Sequence, residues 1–147
     1  MNNLKPTYEE IDKAVRQMAA LIKDLEMEFG AVLALARGGL IPGVILSKAL
    51  SLPLMVANYS SKRGNGDDQD HDNVLPVYEN KKPLLVVDDI CDTGRTLREV
   101  VDFYSSKNVS VYTAVLHFKN INVPPIFPDF RWQTIPRDSG WVIYPWE

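Results

Sequence analysis

The sequence has few of the residues that build disulfide frameworks or zinc sites. Its 147 residues include one cysteine, Cys91, and two histidines, His71 and His117, without partners at zinc-ligand spacing. A single cysteine excludes a disulfide within the chain and fits a reducing compartment, so we expect a cytoplasmic protein. The longest apolar stretch, residues 31–46, contains an arginine, three glycines and a proline, which argues against a membrane span.

Neither sign of charge dominates the chain. Sixteen basic residues against 19 acidic residues give a net charge of −3 and a pI near 5.4. This balance argues against a nucleic-acid-binding face and against a membrane surface, so we expect small-molecule partners and no integral membrane contact. The length and an apolar content of 46% predict a single domain over residues 1–147.

Helical and strand-like apolar patterns alternate along the chain. Thr7 and Glu10 form a possible capping box for a helix that the pattern extends to near Gly30. Further helices are predicted over residues 41–50 and 96–106, and strands over residues 31–36, 54–59, 84–87 and 110–116. Residues 60–73 are predicted to form a long polar loop, and prolines break regular secondary structure over residues 121–128. The alternation predicts an α/β fold with a mostly parallel central sheet flanked by helices.

The most informative segment begins with the apolar run 84–87, which leads into adjacent carboxylates at Asp88 and Asp89. Such a run indicates a strand buried on both faces, and open α/β sheets bind ligands at the carboxyl ends of these strands. Ionised carboxylates only accept hydrogen bonds, so the pair suits a diol or a hydrated Mg²⁺ ion. Residues 92–96, Asp-Thr-Gly-Arg-Thr, then open a helix whose N-terminal N–H groups suit a phosphate. Together these features fit a sugar phosphate.

Other features of the sequence bear on this site. The two common phosphate-loop patterns, G-x-x-x-x-G-K-[ST] and G-x-G-x-x-G, do not occur. After the first predicted strand, Arg37-Gly38-Gly39 offers close backbone approach and a guanidinium that suits phosphate oxygens, although this motif is weak when taken alone. Cys91 lies inside the acidic segment, where nearby carboxylates disfavour a thiolate, so we expect it to pack rather than to react.

Residues 86–97 resemble the phosphoribosyl pyrophosphate (PRPP) binding motif of the type I phosphoribosyltransferases. The ending, residues 141–147, is Trp-Val-Ile-Tyr-Pro-Trp-Glu and resembles the W-[IV]-x-x-P-W-[DE] ending of bacterial xanthine-guanine phosphoribosyltransferases. The resemblance implies the three-layer fold of that family, with a small hood over the sheet. It also implies transfer of the 5-phosphoribosyl group from PRPP to a 6-oxopurine (guanine, xanthine or hypoxanthine), with release of pyrophosphate, in purine salvage and with Mg²⁺ as cofactor.

The resemblance also assigns roles to residues. Asp92 would be the catalytic base. The PRPP-binding residues would be Asp88, Asp89, Asp92, Thr93, Gly94, Arg95 and Thr96, of which Asp88 and Asp89 would also contact the metal. Arg37, Gly38 and Gly39 would bind pyrophosphate, with a cis peptide between Ala36 and Arg37. Lys119, Trp141 and Val142 would bind the base, within a C-terminal segment of about residues 119–147. The hood would span about residues 60–75 and carry Lys62 and Arg63 toward the pyrophosphate.

Two alternative functions stay open at this stage. One is a non-catalytic regulator that keeps the PRPP motif as a sensor, although such regulators usually carry a basic RNA-binding face that an acidic pI disfavours. The other is a phosphoribosyltransferase for a pyrimidine or another base. The acidic tract at residues 67–72 is expected to be a solvated loop rather than a dedicated metal site. A homo-oligomer, dimer or tetramer, is expected from the resemblance and from apolar surface such as residues 124–127.

Overall fold

The computed structural model describes residues 3–61 and 73–147. These residues form three helices and five strands. In chain order they are α1 (Tyr8–Asp24), β1 (Ala31–Ala36), α2 (Leu40–Leu50), β2 (Leu54–Asn58), β3 (Leu84–Cys91), α3 (Arg95–Ser105), β4 (Val111–Asn120) and β5 (Phe130–Pro136). In this described part of the chain, none of the helices combines the length and the hydropathy that a membrane crossing requires.

The first helix begins at the predicted capping box. The hydroxyl of Thr7 accepts a hydrogen bond from the Glu10 amide at 3.1 Å, and the Thr7 amide donates to the Glu10 carboxylate at 2.9 Å. The helix ends at Asp24, well before the predicted end near Gly30, because Glu26 adopts a left-handed conformation with φ 56°. The apolar pattern therefore continued past the end of the helix.

All five strands are parallel and lie in the order β2-β1-β3-β4-β5. Alternate residues of the buried strands face opposite sides of the sheet. Leu85 and Val87 pack with α1 and α2 on one side, and Leu84 and Val86 pack with α3 on the other. This arrangement confirms the predicted three-layer α/β fold, with the sheet as the middle layer.

Two strands are longer than predicted, and one was missed. β3 continues through Asp88 and Asp89 to Cys91, and β4 continues to Asn120, because the two strands go on pairing at Ile90↔His117 and Cys91↔Phe118. The β5 strand lies at the edge of the sheet, where only Phe130 and Ile135 are buried and a terminal proline further weakens the sequence signal. Asp88 and Asp89 thus lie within a strand, and Lys119 lies in β4 rather than after it.

The strand order positions a ligand site. The chain passes from β1 outward to β2 and then returns to β3 on the other side of β1, so the direction of winding reverses between β1 and β3. Open α/β sheets bind ligands in the crevice outside the carboxyl ends of the strands at such a switch point. The loop at Arg37 follows β1 and the loop at Asp92 follows β3, so both predicted binding loops lie at this place.

Candidate active site

The turn after β3 encloses a cavity of about 190 Å³. Its walls include six of the seven predicted PRPP residues: Asp88, Asp89, Asp92, Thr93, Gly94 and Thr96. Arg95, the seventh, points elsewhere: its side chain is exposed and pairs with Glu99 at 3.3 Å. The structure therefore brings the predicted set together except for the Arg95 side chain.

The start of α3 forms one wall of this cavity. Gly94 precedes the helix with φ 86°, and no side chain caps the helix at this position. A Cβ atom at Gly94 would lie only 2.9 Å from Pro125 Cγ, so both the conformation and the close contact require glycine. Thr96 lies in the first turn, and its hydroxyl lies 2.8 Å from the hydroxyl of Ser61. An uncapped helix N-terminus lined by hydroxyls suits a phosphate group.

The two adjacent carboxylates form the acidic wall. Asp88 Oδ1 accepts a hydrogen bond from the Asp89 amide at 2.9 Å, and Asp89 Oδ1 accepts from the Ile90 amide at 2.7 Å. Burial, followed by the charge of Asp89, raises the pKa of Asp88 well above its usual value, and burial also raises the pKa of Asp89. A cation that shares the site would relieve both effects.

The donor set fits Mg²⁺ better than a metal held by protein alone. Among residues 3–61 and 73–147, no group of three or more His, Cys, Asp or Glu side chains could enclose an ion. Mg²⁺ usually keeps several waters and binds one or two carboxylates together with substrate oxygens. Asp88 and Asp89 could hold it in that way.

The loop after β1 contacts this acidic wall. The Ala36–Arg37 peptide is cis, as the resemblance implied. Gly38 lies so close to the Asp89 carboxylate that a Cβ atom would collide with it. The Gly39 amide donates to Leu35 O at 2.8 Å and is committed within the turn, which leaves Arg37 and Gly38 as the residues of this loop that face outward.

A second cavity, of about 150 Å³, adjoins the first. It is lined by Asp89, Ile90, Asp92, Lys119, Trp141, Val142, Tyr144 and Glu147. Three of these residues, Asp89, Ile90 and Asp92, also line the first cavity. The predicted base-binding residues therefore surround a space that shares a wall with the predicted PRPP site.

Lys119 and Asp92 face each other across the second cavity. Lys119 Nζ lies 3.4 Å from Asp92 Oδ1 and 5.9 Å from the ring centre of Trp141. The Lys119 side chain is 16% exposed and Asp92 is 52% exposed, so the lysine is held inside and the carboxylate is open to solvent. Trp141 is 63% exposed and offers a free aromatic face.

The C-terminal segment is anchored by the start of the chain. The Leu4 amide donates to Trp141 O at 3.0 Å, and the Ile143 amide donates to Leu4 O at 2.8 Å. Trp146 stacks in parallel on Tyr144, with ring centres 4.9 Å apart. Trp146 therefore packs within the segment, whereas the Trp141 ring is exposed and lies beside Lys119.

A buried polar network behind the second cavity was missed by sequence reasoning. His117 is 1% exposed. Its Nδ1 lies 2.9 Å from the hydroxyl of Tyr144, and its Nε2 lies 3.1 Å from the side-chain oxygen Oε1 of Gln133. The Tyr144 hydroxyl also donates to Asp89 O at 3.1 Å. The available signal was a histidine inside the otherwise apolar run of β4, but the sequence does not show which residues it meets.

Two further expectations concern residues near the site. Cys91 is buried in the core beneath α3, and burial together with the charges of Asp88 and Asp92 raises the pKa of its thiol to about 11. This confirms its packing role. The predicted hood residues Lys62 and Arg63, and the acidic tract 67–72, lie outside the described residues.

Comparisons with known proteins agree with this geometry. The chain is 27% identical over 146 residues to a xanthine-guanine phosphoribosyltransferase of Idiomarina loihiensis, covering 96% of this chain and 84% of the relative. A relative of the same description from Gluconobacter oxydans is 27% identical over 145 residues, covering 96% and 82%. A purine phosphoribosyltransferase structure from Pyrococcus horikoshii superposes with a TM-score of 0.77 at 28% identity, covering 100% of this chain and 95% of that one. A Helicobacter pylori xanthine-guanine-hypoxanthine phosphoribosyltransferase, at 18% identity and TM-score 0.74, covers 99% and 94% and shares the fold.

The family model described as the phosphoribosyl transferase domain matches residues 4–146. The match covers both cavities, the loop after β1 and the C-terminal segment. The chain therefore belongs to the phosphoribosyl transferase family.

Proposed function

We propose that this protein transfers the 5-phosphoribosyl group from PRPP to a 6-oxopurine and releases pyrophosphate, in purine salvage. The proposal depends above all on the two adjoining cavities that share the wall of Asp89, Ile90 and Asp92. One cavity suits a ribose phosphate and the other suits a flat base. The bond between them would form at the shared wall.

The first cavity fixes the sugar. The N-terminus of α3, with Thr93 and Thr96, binds the 5′-phosphate, and the Asp88–Asp89 carboxylates accept hydrogen bonds from the ribose hydroxyls. Held at both ends, the ribose presents its anomeric carbon to the second cavity. This placement converts a bimolecular attack into one between bound groups.

The second cavity holds and activates the base. Trp141 stacks on the purine, and Lys119 donates a hydrogen bond to the 6-oxo oxygen. Asp92 then accepts the proton from the purine nitrogen that attacks, since its carboxylate lies at the border of the two cavities. Lys119 neutralises Asp92 in the absence of base and stabilises the negative charge that develops on the 6-oxo oxygen.

The leaving pyrophosphate departs toward the loop after β1. Arg37 is exposed in this loop and Gly38 lies against the Asp89 carboxylate, so both suit phosphate oxygens on this side of the site. Mg²⁺, held by Asp88, Asp89 and PRPP, would supply positive charge that neutralises the leaving group.

The wall of the second cavity, from here on called the base cavity, also suggests a preference among 6-oxopurines. The first cavity is called the PRPP cavity. The Glu147 carboxylate lines this cavity, and one of its oxygens accepts a hydrogen bond from the Tyr144 amide at 3.3 Å. A carboxylate accepts hydrogen bonds and repels a carbonyl oxygen. We therefore expect guanine, with its 2-amino group, to be used more efficiently than xanthine, with its 2-oxo group. A kcat/KM for xanthine equal to or above that for guanine would contradict this preference.

Pyrophosphate release tests the function directly. The protein is incubated with PRPP and Mg²⁺, and guanine, xanthine, hypoxanthine, adenine or uracil is offered separately. Release with 6-oxopurines alone supports the proposal. Release with adenine or uracil alone would keep the PRPP site and overturn the assignment of Lys119 and Trp141. Tight PRPP binding without release for any base would favour the sensor.

The remaining parts of the proposal concern the state of the protein in the cell. We propose a cytoplasmic location, supported by the buried, unpaired thiol of Cys91. We also propose a homo-oligomer, supported by apolar side chains exposed on α2 and β2, namely Val44, Leu54 and Val56.

A further inference from the structure

The strongest feature that the proposed function leaves unused is the buried network behind the base cavity. It joins three parts of the fold: Gln133 on β5, His117 on β4 and Tyr144 in the C-terminal segment. It ends on the main chain of β3, where the Tyr144 hydroxyl donates to Asp89 O at 3.1 Å. The network thus connects the strand of the PRPP site with the segment that frames the base cavity.

Each contact of this network joins two groups that can form a hydrogen bond. His117 Nε2 lies 3.1 Å from Gln133 Oε1, and because an amide oxygen only accepts, Nε2 carries the proton and donates to Gln133. Burial lowers the pKa of His117, which favours a neutral ring whose Nδ1 accepts. The single hydroxyl proton of Tyr144 then lies between two acceptors, His117 Nδ1 at 2.9 Å and Asp89 O at 3.1 Å.

We propose that Gln133, His117 and Tyr144 form a positioning relay that holds the C-terminal segment against β3 and so sets the width of the base cavity. The inference rests on the proposed function, because the relay acts on purine binding. None of the three residues needs to touch the reacting atoms. Tyr144 lines the cavity, but its hydroxyl is directed to the Asp89 main chain and to His117.

The relay is expected to affect the base more than PRPP. The PRPP cavity is formed by residues 88–97, which lie on β3 and α3 and are held by the sheet. The base cavity is closed by residues 141–147, which lie outside the sheet apart from a single bridge between Leu4 and Val142. Loss of the relay therefore loosens one wall of the base cavity and leaves the PRPP cavity intact.

The first test is Tyr144→Phe, which removes only the hydroxyl and keeps the ring that stacks on Trp146. We expect the KM for guanine to rise about tenfold, the effect of one buried hydrogen bond, while the KM for PRPP changes by less than about twofold. The matched control is Tyr104→Phe. Tyr104 is equally buried and its hydroxyl donates to Pro76 O at 2.7 Å, on the opposite side of the sheet. This variant should lose thermal stability without a change in the KM for guanine.

The second test uses the two nitrogens of His117. In His117→Asn the side-chain amide lies where Nδ1 was and can still form a hydrogen bond with the Tyr144 hydroxyl, whereas the longer side chain of His117→Gln places its amide near Nε2. We expect His117→Asn to keep a KM for guanine within about threefold of the unmodified protein, and His117→Gln to resemble Tyr144→Phe. If His117 had a purely structural role, the two variants should raise the KM for guanine equally.

The outcomes separate the relay from the proposed function. If the unmodified protein uses 6-oxopurines but Tyr144→Phe behaves like Tyr104→Phe, the relay is wrong and the function stands. A fall in kcat with an unchanged KM for guanine would also overturn the relay. If the unmodified protein releases no pyrophosphate with any 6-oxopurine, the proposed function fails and the relay fails with it.

Discussion

Asp92 is one of the three residues that line both cavities, and its carboxylate lies 3.4 Å from Lys119 Nζ. If the carboxylate accepts the purine proton, Asp92→Asn should lower kcat by about a hundredfold or more, because general-base catalysis contributes about that much. PRPP binding should change little, since an amide of the same size keeps the cavity shape. Steady-state kinetics and PRPP titration measure the two quantities separately.

The control for this variant is Asp102→Asn. Asp102 is an exposed carboxylate on α3 that pairs with Arg98 at 2.7 Å, away from both cavities. Asp102→Asn removes the same charge as Asp92→Asn and should leave kcat unchanged. Equal effects of the two substitutions, or an unchanged kcat in Asp92→Asn, would remove Asp92 from the mechanism.

Asp88 illustrates a conflict between stability and function within one side chain. Its pKa is raised by burial and by Asp89, so ionisation of Asp88 destabilises the fold. This destabilisation grows as the pH rises from the usual aspartate range, about 3.9, through the raised value in the folded protein. Asp88→Asn avoids it and can still accept the hydrogen bond from the Asp89 amide.

We therefore expect Asp88→Asn to melt at a higher temperature than the unmodified protein at neutral pH without Mg²⁺. The melting temperature of a domain of this size rises by roughly 2–4 °C for each kcal/mol added to the free energy of unfolding. The difference should shrink as the pH is lowered, and the variant should use PRPP poorly because the proposed Mg²⁺ site would lose one of its two carboxylates. Melting curves across a pH series measure the difference in melting temperature. A difference that is independent of pH would contradict ionisation of Asp88 as its cause.

At the residue scale, the sequence was informative where chemistry is local. The carboxylates, the Asp92–Thr96 turn and the exposed Trp141 could be recognised because neighbouring residues in the chain define them. Sequence reasoning placed Arg95 in the phosphate site, but its side chain turns outward to Glu99. Tyr144 and His117 could not be paired in advance, because they are 27 positions apart and meet only in the folded chain.

At the scale of elements, the short pairing of Leu4 with the C-terminal segment has a functional role in the proposed site. Two main-chain hydrogen bonds join Leu4 to Trp141 and Ile143, and Asn3 accepts a third from the Trp141 amide at 3.0 Å. Deletion of residues 2–5 should therefore raise the KM for guanine by about tenfold or more, since each of the three lost bonds is worth about 1 kcal/mol, and should spare PRPP binding.

Leu4→Ala is the matched variant for this deletion. It shortens the side chain and keeps both main-chain bonds, so the KM for guanine should stay close to that of the unmodified protein. If Leu4→Ala and the deletion raise this KM equally, the apolar contact of Leu4 rather than the main-chain pairing holds the segment.

Element types were predicted more reliably than element ends. The apolar runs identified β1, α2 and α3 nearly to the residue, because each is bounded by turn residues. The sequence prediction ended β3 at Val87, because carboxylates usually mark the end of a buried strand. In the structure, the pairing of β3 with β4 continues to Cys91. β5 lies at the sheet edge and pairs with only one neighbour, so its residues carry a mixed pattern.

At the scale of the whole molecule, α2 is apolar on almost every side, with only Ser47 and Lys48 as polar side chains. A helix of this kind is normally buried all round, yet Val44 is 40% exposed, as are Leu54 at 38% and Val56 at 49% on the edge strand β2. We expect this surface to pair with a second copy of the chain.

Light scattering at micromolar concentration should accordingly give a mass at least twice that of the chain, and the double variant Val44→Glu with Val56→Glu should reduce it to a monomer. Leu21→Glu is the control, because Leu21 is 51% exposed on α1 and carries the same kind of substitution. A monomeric unmodified protein, or equal dissociation by Leu21→Glu, would contradict this interface. The sequence also suggested residues 124–127 as surplus apolar surface, and there Pro125 is exposed and Phe127 is 63% exposed.

The uneven exposure of the three tryptophans gives the protein an optical property. Trp132 and Trp146 are half-buried against the core, whereas Trp141 stands 63% exposed beside Lys119. The emission that responds to solvent thus comes largely from the indole at the base cavity. A nucleotide that stacks on this ring would shift or quench the fluorescence without any label, and a Trp141→Phe variant would supply the blank.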